Sequence, residues 1–227
     1  MNYKFITTLC LLCLSSLSFS QYDAAFEIYQ TQPDQALQLL STVIKQGNTE
    51  EQIKAHYLAG YIYSAQSSHI DALKSYFHAL KISEKHSNQT YIRKAHAAIG
   101  SIHYSQSKDY HKAKHHFFQA YDQDNPAILS AYNLGLAYQR TRQSDSAVYY
   151  LTIAYEMAVR KKDMDFVYKT LNEVGLSYYY AGHYEEAIAK YHDLLDLARS
   201  TKNKKYIGYA LNNIGNTLHD EIGRAHV

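Results

Sequence analysis

Residues 170–198 read TLNEVGLSYYYAGHYEEAIAKYHDLLDLA. Two runs of small and large apolar residues at helical spacing flank Gly182-His183-Tyr184, where the chain has to reverse. The first run recurs along the chain. Ala55-His56-Tyr57-Leu58-Ala59-Gly60, Ala95-His96-Ala97-Ala98-Ile99-Gly100 and Ser130-Ala131-Tyr132-Asn133-Leu134-Gly135 precede Thr170-Leu171-Asn172-Glu173-Val174-Gly175, and Ala210-Leu211-Asn212-Asn213-Ile214-Gly215 follows it. Their glycines are 40, 35, 40 and 40 residues apart. The second run recurs with them as Ala72/Tyr76/Ala79, Ala113/Phe117/Ala120, Ala147/Leu151/Ala154 and Ala187/Tyr191/Leu194. Steps of four and three put each triplet on one face of a helix.

Composition agrees with an array of helices. Among 227 residues there are two prolines and nine glycines, too few for a turn-rich sheet protein, and 24 tyrosines to fill helix contacts. Charged residues make up 19% and hydrophobic ones 46%, which excludes a disordered polymer and a polytopic membrane protein. A formal charge of +2 argues against a general nucleic-acid binder or a polybasic membrane-surface protein.

The two recurring motifs resemble the tetratricopeptide repeat, and the resemblance covers roughly residues 21–220. Glycine or alanine in one helix lets its antiparallel neighbour approach, and the large residue fills the hole. The 40-residue period resembles the longer repeats of kinesin-light-chain-like and peptide-sensing members. Two departures stand out: the proline that usually ends the second helix is missing, and the third unit carries one extra residue near Lys108. Ala36, Leu40 and Val43 form a degenerate first unit. The resemblance implies an all-α solenoid, a right-handed superhelix of antiparallel helix pairs. Helices are expected at 22–31, 34–46, 50–65, 69–85, 88–105, 109–122, 126–140, 144–161, 163–181, 184–201 and 204–220. Asn125-Pro126 reads as the cap and first turn of the seventh. The eleventh would be the unpaired first helix of a sixth repeat.

By the same resemblance, the first helices line a concave groove that holds a peptide or partner helix. The groove positions are Tyr57, Tyr61, Tyr104, Tyr132, Asn133, Lys169, Asn172, Tyr179, Asn212 and Asn213. Asparagine amides pair with both groups of an extended backbone, and tyrosines bring contact area with a polar tip. Any one of these tyrosines could equally be packing between helices. A clamp for a C-terminal carboxylate, known in the family, is not expected: Lys169 fits, but Glu173 stands where an arginine would be needed.

Catalytic and metal signatures are sparse. His111 and His115, one helical turn apart with His116 beside them, offer two imidazoles to a metal, but Lys112 breaks a His-Glu-x-x-His pattern and a solvated face is the simpler reading. Ser105-Gln106-Ser107-Lys108 matches Ser-x-x-Lys in a turn, with no partner motifs. No nucleophile elbow, phosphate loop or dinucleotide fingerprint occurs. The expectation is no enzyme, no cofactor, no metal and no nucleic-acid partner in this stretch.

Both ends read differently from the repeats. Lys4, the apolar residues 5–17 and Ser18-Phe19-Ser20 before Gln21 form a secretory leader over 1–20, and both cysteines, Cys10 and Cys13, lie in it. Residues 222–227 back-translate to ATC GGA AGA GCA CAC GTC, which resembles a short-read sequencing adapter, with Glu221 at the junction. Residues 221–227 are therefore expected to be non-native, and the natural protein to continue beyond Asp220. Leader and tyrosine-rich repeats resemble exported tetratricopeptide modules of Bacteroidota. That resemblance implies a periplasmic protein- or peptide-binding module, the sensory part of a longer histidine kinase or DNA-binding regulator. Membrane attachment would come only from a later transmembrane helix. A free periplasmic scaffold for envelope complexes is the alternative.

Overall fold

The structure, a computed structural model, describes residues 20–225. All of the expected leader but Ser20, together with both cysteines, lies outside the described residues. Among the described residues there are eleven α-helices and no strand. They are α1 (Gln21–Ile28), α2 (Pro33–Gln46), α3 (Thr49–Ala65), α4 (His69–Lys85), α5 (Gln89–Ile102) and α6 (Tyr110–Ala120). Then come α7 (Ile128–Arg140), α8 (Ser144–Lys161), α9 (Met164–Ala181), α10 (Tyr184–Ser200) and α11 (Lys204–Ala225). Two compact units result, one ending at Ile92 and the other starting at Arg93.

Local chemistry sets most helix starts. Ser20 caps α1, accepting from the Asp23 amide at 3.1 Å while Asp23 accepts from the Ser20 amide at 3.3 Å. Asn48 and Glu51 make the same reciprocal pair at α3, and Asp163 caps α9. Helix α7 departs from expectation, because Asn125-Pro126 does not start it. Asp122 Oδ1 instead accepts from the amides of Asp124 and Asn125, at 3.2 and 3.3 Å, and holds a turn. Helix begins only after Ala127, whose amide donates to Ser130 Oγ at 3.2 Å.

The extra residue of the third unit has a clear structural home. Ala113 follows Gly100 by thirteen residues, whereas Ala72, Ala147 and Ala187 follow their glycines by twelve. A π-helical turn over His103–Ser107 absorbs the surplus at the end of α5. Lys108 then turns out in the left-handed region, with φ of 51°, and the Asp109 amide closes onto the His103 carbonyl at 3.0 Å.

Packing follows the motif alignment residue for residue. A Cβ built on Gly60 would lie 2.7 Å from Tyr76, one on Gly100 2.7 Å from Phe117, one on Gly135 2.7 Å from Leu151, and one on Gly175 2.5 Å from Tyr191. Each of these four glycines therefore seats the large residue of its own unit, and all four of those large residues are buried. Burying one such side chain is worth about 1.5–3 kcal/mol. The alanines on either side, such as Ala72, Ala79, Ala147 and Ala154, are fully enclosed and keep the helix axes close. In the first unit the core runs from Ala25 through Leu40 and Val43 to Leu58 and Ile62. In the second unit, Tyr168, Leu171, Leu194 and Leu195 gather with Tyr206 and Ala210 of α11. No helix among the described residues is long and apolar enough to cross a membrane. Helix α11 continues without a break over residues 221–225 of the stretch read from the sequence as a non-native tail, and residues 226–227 lie outside the described residues.

Candidate functional site

Two of the ten groove positions belong to the first unit. Tyr57 is half-buried between Tyr76 and Tyr91, with ring centroids 5.4 and 5.6 Å away, and burial pushes its hydroxyl up from the usual tyrosine value. Its ring is mainly part of the helix packing. Tyr61 sits edge-on to Tyr29 at 5.7 Å and remains 48% exposed, so it is available to a ligand.

The other eight belong to the second unit, where α7, α9 and α11, the first helices of successive repeats, lie side by side. Tyr104 is carried by the π-helical turn. Arg140 Nε donates to its hydroxyl at 3.2 Å, and the guanidinium lies 5.8 Å over the ring of Tyr110, which is edge-on to Tyr104. Tyr104 and Asn133 line a pocket of about 170 Å³ with Ser101, Ser105, Phe117 and Leu136. Ser105 donates to the Ser101 carbonyl at 2.8 Å, so the hydroxyl of the Ser-x-x-Lys string is engaged by backbone. Tyr132 packs edge-on to Phe166 at 5.6 Å. Lys169 spans the same ring at 5.2 Å and pairs with Asp165, so it is not a bare cation waiting for a carboxylate.

A chain of polar side chains crosses from α7 to α11. Gln139 Nε2, almost fully buried, is shared among the Glu173 carbonyl, Glu173 Oε2 and Ser177 Oγ at 3.2, 3.3 and 3.1 Å. Asn172 Nδ2 donates to Glu173 Oε1 at 3.4 Å, and Asn213 Nδ2 donates to Asn172 Oδ1 at 2.9 Å. Tyr179 donates to Asp220, and that bond pushes its hydroxyl up to about 12. Beside it, Leu176, Tyr179, Tyr180, Tyr191, Asn213, Asn216 and Thr217 enclose about 350 Å³. Asn212 stands exposed on α11. Burial holds the Glu173 carboxyl above the usual glutamate range, against the pull of the two amides and of the more distant Arg140. Sequence reading passed over Gln139 and used Glu173 only to dismiss a carboxylate clamp. A signal was present, because the Glu173 position holds Leu58, Ala98, Asn133 and Asn213 in the other repeats, none of them charged.

Histidines meet where the sequence did not place them. His111 and His115 point outward on α6 and are exposed, while His116 turns inward. Its Nδ1 lies 2.9 Å from Nδ1 of buried His96, and its ring stacks on His103 at 5.7 Å. Burial, then the neighbouring imidazoles His96, His115 and His103, lowers His116 to about 4. His56 stacks on His78 at 5.1 Å in the first unit and is also lowered to about 4, by burial and then by His78. Among the described residues, no three histidine, cysteine or acidic side chains come together as a metal site.

No protein-family model and no curated protein matches the chain. Solved structures do. One is a single-substitution variant of the nearly identical TPR-like repeats of a Podosopora anserina protein assigned as a kinesin light chain. It aligns with a TM-score of 0.63 at 17% identity, over 82% of this chain and 96% of its own. The unsubstituted protein aligns with a TM-score of 0.61 at 18% identity, over 82% and 95%. With the paired helices and the small-against-large contacts above, these alignments give the chain the fold of the tetratricopeptide-like helical-repeat proteins.

Proposed function

We propose that this chain is a peptide- or protein-binding module whose binding face in the second unit is made by α7, α9 and α11. The reading is supported chiefly by the Asn172–Asn213 amide pair. The pair spans two adjacent first helices beside a pocket, and Asn213 keeps an acceptor and a second N–H for an extended backbone. The half-exposed tyrosines around it add contact area at low entropic cost. The fold supports a scaffold and not a catalyst, since repeat arrays of this kind ordinarily bind through their stacked helices.

Panning random dodecapeptides on the chain tests the reading. Peptides retained by the unchanged protein should lose at least about tenfold in affinity on Asn133→Ala/Asn172→Ala, with helical circular dichroism unaltered. Equal retention by the double variant would move the binding face elsewhere.

Export to the periplasm, and service as the sensory part of a longer signalling protein, complete the proposal. Export rests on Lys4, the apolar run 5–17 and Ser18-Phe19-Ser20; the signalling role rests on resemblance alone. Reading the source gene past the codon for Asp220 decides between contexts. A membrane helix followed by a kinase or DNA-binding domain fits a sensor, and further repeats alone fit a scaffold.

A further inference from the structure

Glu173 is the only charged residue at its repeat position, and the fold leaves it in an expensive setting. It projects from α9 next to Asn172, within the proposed binding face, and is largely withdrawn from water. Its two oxygens accept one long amide bond each, 3.3 Å from Gln139 and 3.4 Å from Asn172. Among the described residues no cation pairs with it. Arg140, the one cation near enough to be felt, is held by the hydroxyl of Tyr104 and the face of Tyr110. The hydroxyl of Tyr132, also on this face, is raised by burial and next by the charge of Glu173, so an aromatic ring stands in the field of that carboxylate. A desolvated carboxylate without a counter-ion is costly to keep ionised, and an arriving cation recovers that cost.

We propose that Glu173 anchors a subsite for a cationic group of the bound peptide, a lysine or arginine side chain or an N-terminal ammonium. Tyr104 and Tyr132 would flank the charge with aromatic surface. The cation replaces the water that Glu173 has lost and gains the face of a tyrosine ring. The selectivity is opposite to that of a carboxylate clamp, because an acidic peptide would meet the carboxylate as a like charge. This inference rests on the peptide-binding reading above.

The test is the same dodecapeptide library, panned at pH 7.5 on the unchanged chain, on Glu173→Gln and on Asn133→Ala/Asn172→Ala, with the melting temperature of each. The expected result is enrichment of lysine, arginine or a free N-terminus at one fixed position. Selected peptides should lose about tenfold or more in affinity on Glu173→Gln, whose melting temperature is unchanged or higher. Retained peptides without a basic group, or with the same basic preference on Glu173→Gln, overturn the subsite. The peptide-binding reading then survives if the asparagine variant still abolishes retention. A lowered melting temperature for Glu173→Gln also overturns it, since the carboxylate would then be structural. Retention of no peptide by any of the proteins removes subsite and binding face together.

Discussion

Two glycines with the same place in the motif have opposite surroundings, and that difference makes a sharp test of the packing. A methyl on Gly175 would press to 2.5 Å from the ring of Tyr191, which is enclosed and has nowhere to go. A methyl on Gly215 would meet nothing within 4 Å. Gly175→Ala is therefore expected to cost about 1–3 kcal/mol through overpacking. In Gly215→Ala only the helix-propensity gain remains, about 0.5–1 kcal/mol of added stability. Urea unfolding of the two variants checks the contrast, and a neutral Gly175→Ala would mean that the helix pair α9–α10 is not as close as described. Glu173 carries the converse expectation. Its carboxyl is raised in the folded state, so it contributes stability below the unfolded glutamate value and loses it as pH rises through the raised one. The ionised form at neutral pH thus works against folding.

At the scale of the helix and its turn, the seven helix ends among the described residues that close in the left-handed region differ in how well their residue suits it. Gly182 adopts φ of 81° without a Cβ, whereas Lys162 at the end of α8 is forced to 55°. The geometry there is held by the Asp163 amide donating to the Ala158 carbonyl at 2.9 Å. Lys162→Gly should relieve roughly 1 kcal/mol of backbone strain, less the added freedom of the unfolded chain, and so raise the melting temperature slightly. A drop would show that the lysine side chain makes a contact worth more than the strain. The same scale explains what the sequence could and could not reveal. Ten of the eleven helices start within a residue of expectation, because small-and-large periodicity is a local signal that repeats in phase. The start of α7 was misread because Asn125-Pro126 looks like a cap locally, while the actual competitor, Asp122, lies three residues upstream. The surplus residue of the third unit was legible in the spacing, but the spacing does not say that a π-helical turn takes it up. The positions proposed for binding were named as a set through resemblance. The links Gln139–Glu173 and Asn172–Asn213 were not, since partners 34 and 41 residues apart leave no mark in a local pattern.

Across the whole molecule, half-buried imidazoles set the response to acid. His56 in the first unit, and His116 and His103 in the second, all hold their protons less tightly than a free histidine, each chiefly because burial disfavours the charged form. Around His103 and His116 the facing charges are Lys112, which opposes protonation, and Asp109, which favours it, besides the rings of His96 and His115. A pKa lowered in the folded state means that the unfolded chain binds more protons between the two values. The stability these groups contribute is therefore complete above the free-histidine value of 6.5 and is lost as pH falls towards 4, where His56 and His116 titrate when folded. Glu173 acts in the opposite direction as it protonates, but it is one group against three. The carboxylates with lowered values, such as Asp71 and Asp109, release their share only at lower pH still. Between pH 7 and pH 5 the histidines should dominate, and the melting temperature should fall by about 5 °C or more. Replacing His56 and His116 with glutamine should flatten that slope while lowering stability at pH 7 by less than the acid shift itself, because neutral amides need no protection from a proton. A melting temperature that holds steady or rises on acidification over this interval would mean that the imidazoles reach water, and that the His96–His116 and His56–His78 contacts are open in solution.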